Sequence, residues 1–493
     1  MKDYSGIFLI SVASLSLEVF LIRFFSIAQW YHFAFMVVSI ALFGIAASGV
    51  FLSIKKIKNP STVSSLFFSL TTLLGFFILN NVSFDPYEAI LNPSYLLILL
   101  IYYLLLGLPF FFFGLIIAYF FQKNQQNAGK IYFYNLSGSA LGTLSVLPII
   151  SFLGPYTIVV IAMLGLLAGL FFTKKKITFL ALIFSVSFLF FVPLDINLSK
   201  YKELNQALSY PDSVLLSTKY NSFSRVDVIN SSFTRYAPGL SSEFKGILPE
   251  QIGITVDGAN MNAITNLNNL DFVDYLPTSL AFTLVHNPKV LVINAGAGLD
   301  VLSALTKNAT ITVVESNPII VNLLKNEYKE FSGGIYNRAH VDIDEGRNFI
   351  KRAEKYDVII ISVAGNVLGS VGGIYSLSEN YLLTKEAMRD YYNHLTDNGV
   401  LVITRWLLYP PKESLRLFTL ALPYSKENIA LIRSWTTVTL LLSKQKLTEE
   451  DIKNIEDFTE KNKFDIIYMP ANFTPNKYAK FDEPYYYLSL IHI

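Results

Sequence analysis

Two glycines and an acid are the residues best placed for chemistry. In Lys289-Val-Leu-Val-Ile-Asn-Ala-Gly-Ala-Gly-Leu-Asp-Val-Leu-Ser-Ala-Leu305 an apolar run ends at Asn294, and Gly296 and Gly298 precede the helically spaced Leu299, Leu302 and Leu305. Glycines at such a turn let backbone approach a ligand where a starting helix points free N–H groups outward. The next apolar run, Thr310–Val314, ends at Glu315, nineteen residues beyond Gly296. That is the separation at which an acid after a second strand reaches ribose hydroxyls. A dinucleotide fingerprint wants a third glycine at position 301, and Val301 stands there, so a smaller nucleoside without a pyrophosphate is expected in place of NAD. Farther on, Val341-Asp-Ile-Asp-Glu-Gly-Arg-Asn-Phe-Ile350 puts Asp344 and Glu345 after a third strand, where either could accept a hydrogen bond from an adenine amino group. Each of these acids also has a plainer reading, as a solvated turn or a helix N-cap.

Other chemistries are poorly served. The chain has no cysteine, which removes disulfides, thiolate metal sites and Cys nucleophiles together. His32, His286, His340, His394 and His492 show no paired spacing, so no metal is expected, and no Gly-x-Ser-x-Gly elbow is present. A net charge of +2, without a basic run interleaved with aromatics, argues against nucleic acid as a partner.

To position the glycine turn and its acids, the chain needs a doubly wound sheet whose ligand lies outside the strand ends. The strands expected are the run before Asn294, Thr310–Val314, the stretch ending near Asp344, Tyr356–Ile361 and Gly399–Thr404. Asn428–Arg433 and Thr437–Ser443 read as two further strands completing the sheet as an antiparallel edge. Strand-like runs at Arg225–Ile229 and Gly253–Val256 suggest a small β-rich subdomain over 196–285, ahead of a Rossmann-like domain over 286–493.

Residues 1–195 follow other rules. The composition, 52% hydrophobic and 15% charged, is far from the roughly 25% charged residues of soluble domains, and the apolar excess lies before Leu194. About seven stretches approach the roughly 20 apolar residues that span a bilayer. They run near Gly6–Ile27, His32–Ile54, Val63–Leu79, Ser94–Phe121, Ile131–Phe152, Tyr156–Phe172 and Ile177–Val192. Pro109 predicts tilt or a kink in the fourth. The first is too long for a signal-peptide core and is read as a retained helix.

Lysines 55, 56, 58, 123, 130 and 174–176 place the ends of even-numbered helices inside. A seventh crossing would then carry the rest of the chain outside. Ile177–Val192, the shortest stretch, is therefore expected to lie against the bundle, which keeps the α/β domain cytoplasmic. Glu18 is expected to face the bundle interior, and Arg23 to snorkel to the interface. Gly138 and Gly142 have the spacing that lets helix backbones approach closely.

The α/β motifs resemble the spermidine synthase family, S-adenosylmethionine-fold aminopropyltransferases, and in particular the bacterial and archaeal proteins that join such a domain to a polytopic membrane domain. The resemblance spans about Ser222 to Arg416 and rests on Val292–Asp300, Val313–Pro318, Glu345-Gly-Arg-Asn-Phe349 and Tyr356-Asp-Val-Ile-Ile360. It implies a transmembrane helical bundle followed by an α/β Rossmann-like domain of the S-adenosylmethionine methyltransferase and spermidine synthase type. It also implies S-adenosylmethionine or its decarboxylated form as donor, held by Asn294, Gly296, Gly298, Glu315, Asp344, Glu345 and Ser362. Asp257, in a family-like Asp-Gly, and Glu379 are the acids expected near the acceptor.

One departure matters. Where the family carries an acid after the fourth strand, this chain has Ser362-Val-Ala-Gly-Asn366. A serine is a poor base for an attacking ammonium, so methyl transfer competes with aminopropyl transfer, and a non-catalytic transport or scaffold role is a third reading. The partners expected are the lipid bilayer of a cell membrane and a small-molecule or membrane-associated acceptor, with self-association left open.

Overall fold

The computed structural model describes residues 2–29, 32–55, 57–82, 92, 95–172, 194–232, 234–363, 381–407 and 412–470. They cluster into two units, Met1–Gln206 with Thr218–Arg225, and Ala207–Ser217 with Val226–Ile493.

Among the described residues the first unit contains six apolar helices: α1 Lys2–Ala28, α2 His32–Ile54, α3 Ser61–Asn81, α4 Tyr95–Lys123, α5 Ala128–Leu153 and α6 Thr157–Phe172. Among the described residues, five helical stretches are long and apolar enough to cross a membrane, the last being Gln125–Phe172, in which α5 and α6 join through a tight turn at Gly154–Tyr156. The stretch at 177–192 lies outside the described residues. α4 remains helical through Pro109.

Helix α1 packs along α5 and α6, α2 on α4, and α3 on α4 and α6. Small residues make the closest of these contacts. A Cβ on Gly138 would overlap the Phe8 carbonyl oxygen, and one on Gly142 the Val12 carbonyl oxygen, so α5 lies backbone to backbone on α1. Ser11 Oγ donates to Asn135 Oδ1 (2.8 Å) and Ser16 Oγ to the Gly142 carbonyl (3.0 Å) across the same seam. On the α3–α6 seam, Ser69 Oγ donates to the Ala162 carbonyl at 2.7 Å. Glu18 is half-buried, and the Arg23 guanidinium reaches Ser26 Oγ at 3.5 Å.

The described residues beyond Ala207 carry two sheets. The smaller has the order β1-β2-β3-β4, with β1 Val214–Tyr220, β2 Arg225–Asn230, β3 Gln251–Val256 and β4 Ala259–Thr265; β2–β3 and β3–β4 are antiparallel. Asp257 and Gly258 form the two-residue β3–β4 hairpin turn with φ of 53° and 68°, the backbone that selects Asp-Gly.

The larger sheet contains β5 Lys289–Ile293, β6 Thr310–Val314, β7 His340–Asp342, β8 Tyr356–Ile361, β9 Leu395–Trp406, β10 Ile429–Arg433, β11 Thr437–Ser443 and β12 Asp465–Tyr468. Its order is β12-β10-β11-β9-β8-β5-β6-β7. Strands β5 to β9 are parallel, and β11, β10 and β12 are added antiparallel. The expected edge pair is thus ordered with β11 inside β10, and β12 forms the edge. A buried ion pair holds that edge, Arg433 Nε to Asp465 Oδ2 at 3.1 Å.

Alternate residues of β5 serve opposite cores, Val290 and Val292 on one face and Leu291 and Ile293 on the other. Burial on both faces is why these strands read as unbroken apolar runs. At the amino ends of the strands Asp357 accepts from the Lys289 N–H (2.9 Å) and from Thr396 Oγ1 (2.8 Å), tying β8 to β5 and β9.

Candidate functional site

Chain order reverses direction between β5 and β8: the chain moves outward from β5 through β6 to β7, then returns to β8 on the other side of β5. The crevice outside the carboxyl ends of strands at such a reversal is where open α/β sheets take ligands.

The glycine turn leaves β5 there. Asn294 (φ 58°), Gly296 (φ 55°) and Gly298 (φ 89°) all hold left-handed backbone, the conformation that glycine adopts without steric cost and asparagine tolerates. Gly298 then caps helix α7, Leu299–Leu305. The turn is clamped from three sides. Asn294 N–H donates to the Val314 carbonyl (2.9 Å), Gly296 N–H to Glu315 Oε2 (2.9 Å), and the Tyr336 hydroxyl to the Gly296 carbonyl (2.6 Å). Glu315, 3% exposed, also accepts from the Asn317 N–H through Oε1 at 2.8 Å. The acid read from the sequence as a ribose ligand thus holds the glycine turn through main-chain donors. Burial pushes its pKa up, while the N–H groups of Asn317 and Gly296 pull it back. Burial, and then the neighbouring Glu315, raise the Tyr336 phenol well above its ordinary range.

Asp344 and Glu345 follow β7. Glu345 is exposed and caps the short helix α8, Gly346–Ile350, accepting from the N–H groups of Arg347 (2.8 Å) and Asn348 (3.1 Å). Asp344 accepts from Asn348 Nδ2 at 2.9 Å and pairs with Arg352; the Asn348 bond chiefly, with help from Arg352, holds its carboxyl below the usual range. Asp257 is half-buried in the β3–β4 turn. Glu379 lies outside the described residues.

Between the strand ends is a small cleft with a volume of about 20 Å³. Ser362, from the end of β8, lines it together with Asp300, Thr278, Asn262 and Thr404. Asp257, Glu315, Asp344 and Glu345 are not among its lining residues. Asp300, in the first turn of α7, is 6% exposed. Burial raises its pKa, and the hydroxyls of Ser362 and Thr278 draw it partly back. The Ser362 hydroxyl is close enough for that effect but makes no hydrogen bond of good geometry, so its buried oxygen is unsatisfied among the described residues. The Ser362 N–H donates to the Ile293 carbonyl (3.1 Å), which fixes this residue against the end of β5.

Gln251 positions one wall, accepting from the Tyr236 N–H (2.7 Å) and donating to the Tyr236 carbonyl (2.9 Å). Asn262 fills the space that a side chain at Gly296 would take, as Ile335 does for Gly298. Residue type and spacing do not single out Asp300, Thr278, Asn262, Thr404 or Tyr336. Asp300 does fall inside the Val292–Asp300 motif, but an acid in a first helical turn reads as a partner for the helix dipole.

No family model matches the chain, and no curated protein does. Among solved structures, the chain is similar to a spermidine synthase in complex with the transition-state analogue AdoDATO, at 17% identity and a TM-score of 0.32, covering 49% of this chain and 75% of that one. It is similar to the Thermotoga maritima spermidine synthase at 15% identity and a TM-score of 0.33, over 49% and 75% of the two chains. It is also similar to human methyltransferase-like protein 13 in complex with SAH, at 18% identity and a TM-score of 0.27, over 40% and 92%. The described residues form a set of apolar helices followed by a mixed-sheet domain.

Proposed function

We propose that the α/β unit binds S-adenosylmethionine or its decarboxylated form and transfers an alkyl group, aminopropyl or methyl, to an acceptor held at a cell membrane by the helical unit. The observation that carries this reading is the place of the cleft, at the carboxyl ends of β5, β8 and β9 where the strand order reverses, beside a left-handed glycine turn. The residues present fit the reacting end of such a donor, because a buried, unsatisfied Ser362 hydroxyl and the Asp300 carboxylate line the cleft.

A sulfonium donor, when bound, supplies an electrophilic carbon and a thioether leaving group. The protein's own part is then chiefly to orient and to exclude water, with Leu276, Leu299 and Val363 among the apolar residues of the wall. Gly296, Gly298 and Glu315 would hold the nucleoside, with Asp344 and Glu345 beyond them. Asp257 and Glu379 would face the acceptor, with the α/β unit on the cytoplasmic side.

Calorimetric titration of the detergent-purified chain with S-adenosylmethionine, its decarboxylated form and methylthioadenosine tests this directly. Saturable binding of at least one is expected, and the preferred donor separates methyl from aminopropyl transfer. Binding of none would favour the second reading, a scaffold or transport protein, towards which the internal satisfaction of Glu315 by main-chain donors already points.

A further inference from the structure

We infer that Glu18, with Ser14, forms an exchangeable proton site within the helical unit: a proton binds the Glu18 carboxyl and leaves again, and the Ser14 hydroxyl serves both forms. The site is independent of what the α/β unit binds and takes α1 as a helix that crosses the membrane. Depth is the first ground. Helix α1 runs from Lys2 to Ala28, so at 1.5 Å per residue Glu18 lies about 24 Å from one end and about 15 Å from the other. A hydrocarbon core of about 30 Å centred on this helix encloses it.

The second ground is charge. Glu18 is half-buried and makes no ion pair or hydrogen bond among the described residues. Helices α3 and α6, which pack against α1, contain no ionisable residue. Helix α5 carries Lys130, Tyr132 and Tyr134, and Tyr134 stacks on Tyr4 at 5.2 Å, which sets that end of α5 level with the start of α1, about 21 Å along the helix from Glu18. Helix α2 has only His32, at its first residue; α4 has Tyr95, Tyr102, Tyr103 and Tyr119, with Lys123 at its last. On α1, Lys2, Asp3 and Tyr4 lie at the start, and Arg23 lies about 140° round the helix with its guanidinium on Ser26. Lys202 donates to the Ser26 carbonyl (3.0 Å), about 12 Å along α1 from Glu18. A carboxylate in hydrocarbon without a cation is costly, whereas a protonated carboxyl needs only an acceptor.

The third ground is that acceptor. Ser14 is fully buried one helical turn before Glu18, on the same face, and its Oγ has no hydrogen-bond partner among the described residues. The buried hydroxyls of Ser11, Ser16, Ser65, Ser69 and Thr72 each donate to a main-chain carbonyl. Ser14 does not, so its hydroxyl is available to accept from the acid and to donate to the carboxylate. The second bond is charge-assisted and the stronger of the two, which makes release of the proton feasible inside an apolar bundle.

The test treats the full-length chain in lipid vesicles with dicyclohexylcarbodiimide, a lipid-soluble reagent that couples to protonated carboxyls, across a pH series, and locates adducts by peptide mass spectrometry. Near neutral pH, Glu18 is expected to label roughly tenfold or more faster than the exposed Glu449, and its labelling to fall along a one-proton curve as pH rises. Ser14→Ala removes the stronger bond to the carboxylate, so its labelling on the high-pH limb should exceed wild type by roughly tenfold while the low-pH plateau is unchanged. Infrared titration of the carboxylic C=O band that Glu18→Gln removes must give the same curve without access for the reagent. A band that does not titrate, or labelling of Glu18 that is flat with pH, overturns the proton site and leaves Glu18 a fixed structural group. Protection of Glu18 by sodium ions at constant pH overturns it in favour of a metal cation. A Ser14→Ala curve that matches wild type overturns the part assigned to Ser14.

Discussion

Gly298→Ala is the sharpest perturbation of the glycine turn. At φ 89° an alanine sits in left-handed backbone, which costs about 1–2 kcal/mol. Its Cβ would also overlap Ile335 Cδ1 and come within 3.3 Å of the Tyr336 ring, both fully buried. Overpacking of that kind adds about 1–3 kcal/mol, and the stiffer unfolded chain returns roughly 0.4–1 kcal/mol. The net expectation is a loss of about 1–5 kcal/mol from the α/β unit. The two contributions can be separated, because Ile335→Val deletes the atom that the new Cβ strikes. Alone it should cost about 0.5–1.5 kcal/mol, and combined with Gly298→Ala it should recover about 1 kcal/mol relative to additivity. Denaturant unfolding followed by Trp406 and Trp435 fluorescence, with Trp30 replaced by Phe, reads this unit alone. A Gly298→Ala midpoint equal to wild type, or strict additivity with Ile335→Val, would refute the packing described for the turn.

Three further outcomes follow from the same geometry. Because burial raises the Asp300 carboxyl above its ordinary 3.8, the folded state binds that proton more tightly than the unfolded state does. The associated stability is complete below pH 3.8 and is lost as pH rises through the raised folded value; Glu315 acts in the same direction. Asp300→Asn should therefore flatten part of this slope and stabilise the ligand-free protein at neutral pH by about 1 kcal/mol, and an unchanged pH profile from thermal melts would contradict the burial argument. Glu315→Gln turns a donor towards the N–H of Gly296 or Asn317, so a loss of about 1–3 kcal/mol is expected in the same melts. In the helical unit, Gly142→Ala must push α5 from the Val12 carbonyl, costing about 1–3 kcal/mol, whereas Gly129→Ala meets nothing within 4 Å and should be neutral or slightly stabilising; helix loss in a detergent unfolding series compares them.

Legibility in the sequence followed the physics of each element. Strands β5, β6 and β8 are buried on both faces, so their apolar runs and the glycine turn between β5 and α7 declare themselves. Strand β12 does not, because it is four residues long and opens on Asp465, a charge made burial-tolerant only by Arg433 from another strand. Strand β4 carries Asn260 and Asn262, polar residues that sequence pattern assigns to loops. The site was legible to the same degree. The left-handed turn and the acid nineteen residues later could be read from spacing. Which donors the Glu315 carboxylate meets depends on a main-chain path that spacing does not reveal. Asp300 stayed hidden because its significance lies in Thr278 and Ser362, brought beside it from segments far apart in sequence.

Amide hydrogen exchange of the full chain with and without S-adenosylmethionine tests at residue level whether a nucleoside donor occupies the strand ends at the β5–β8 reversal. Slowed exchange confined to the glycine turn at 294–300, the Glu315–Asn317 segment and Ser362 is the expected result. Unchanged exchange there at saturating ligand, or protection appearing only elsewhere in the chain, would contradict it.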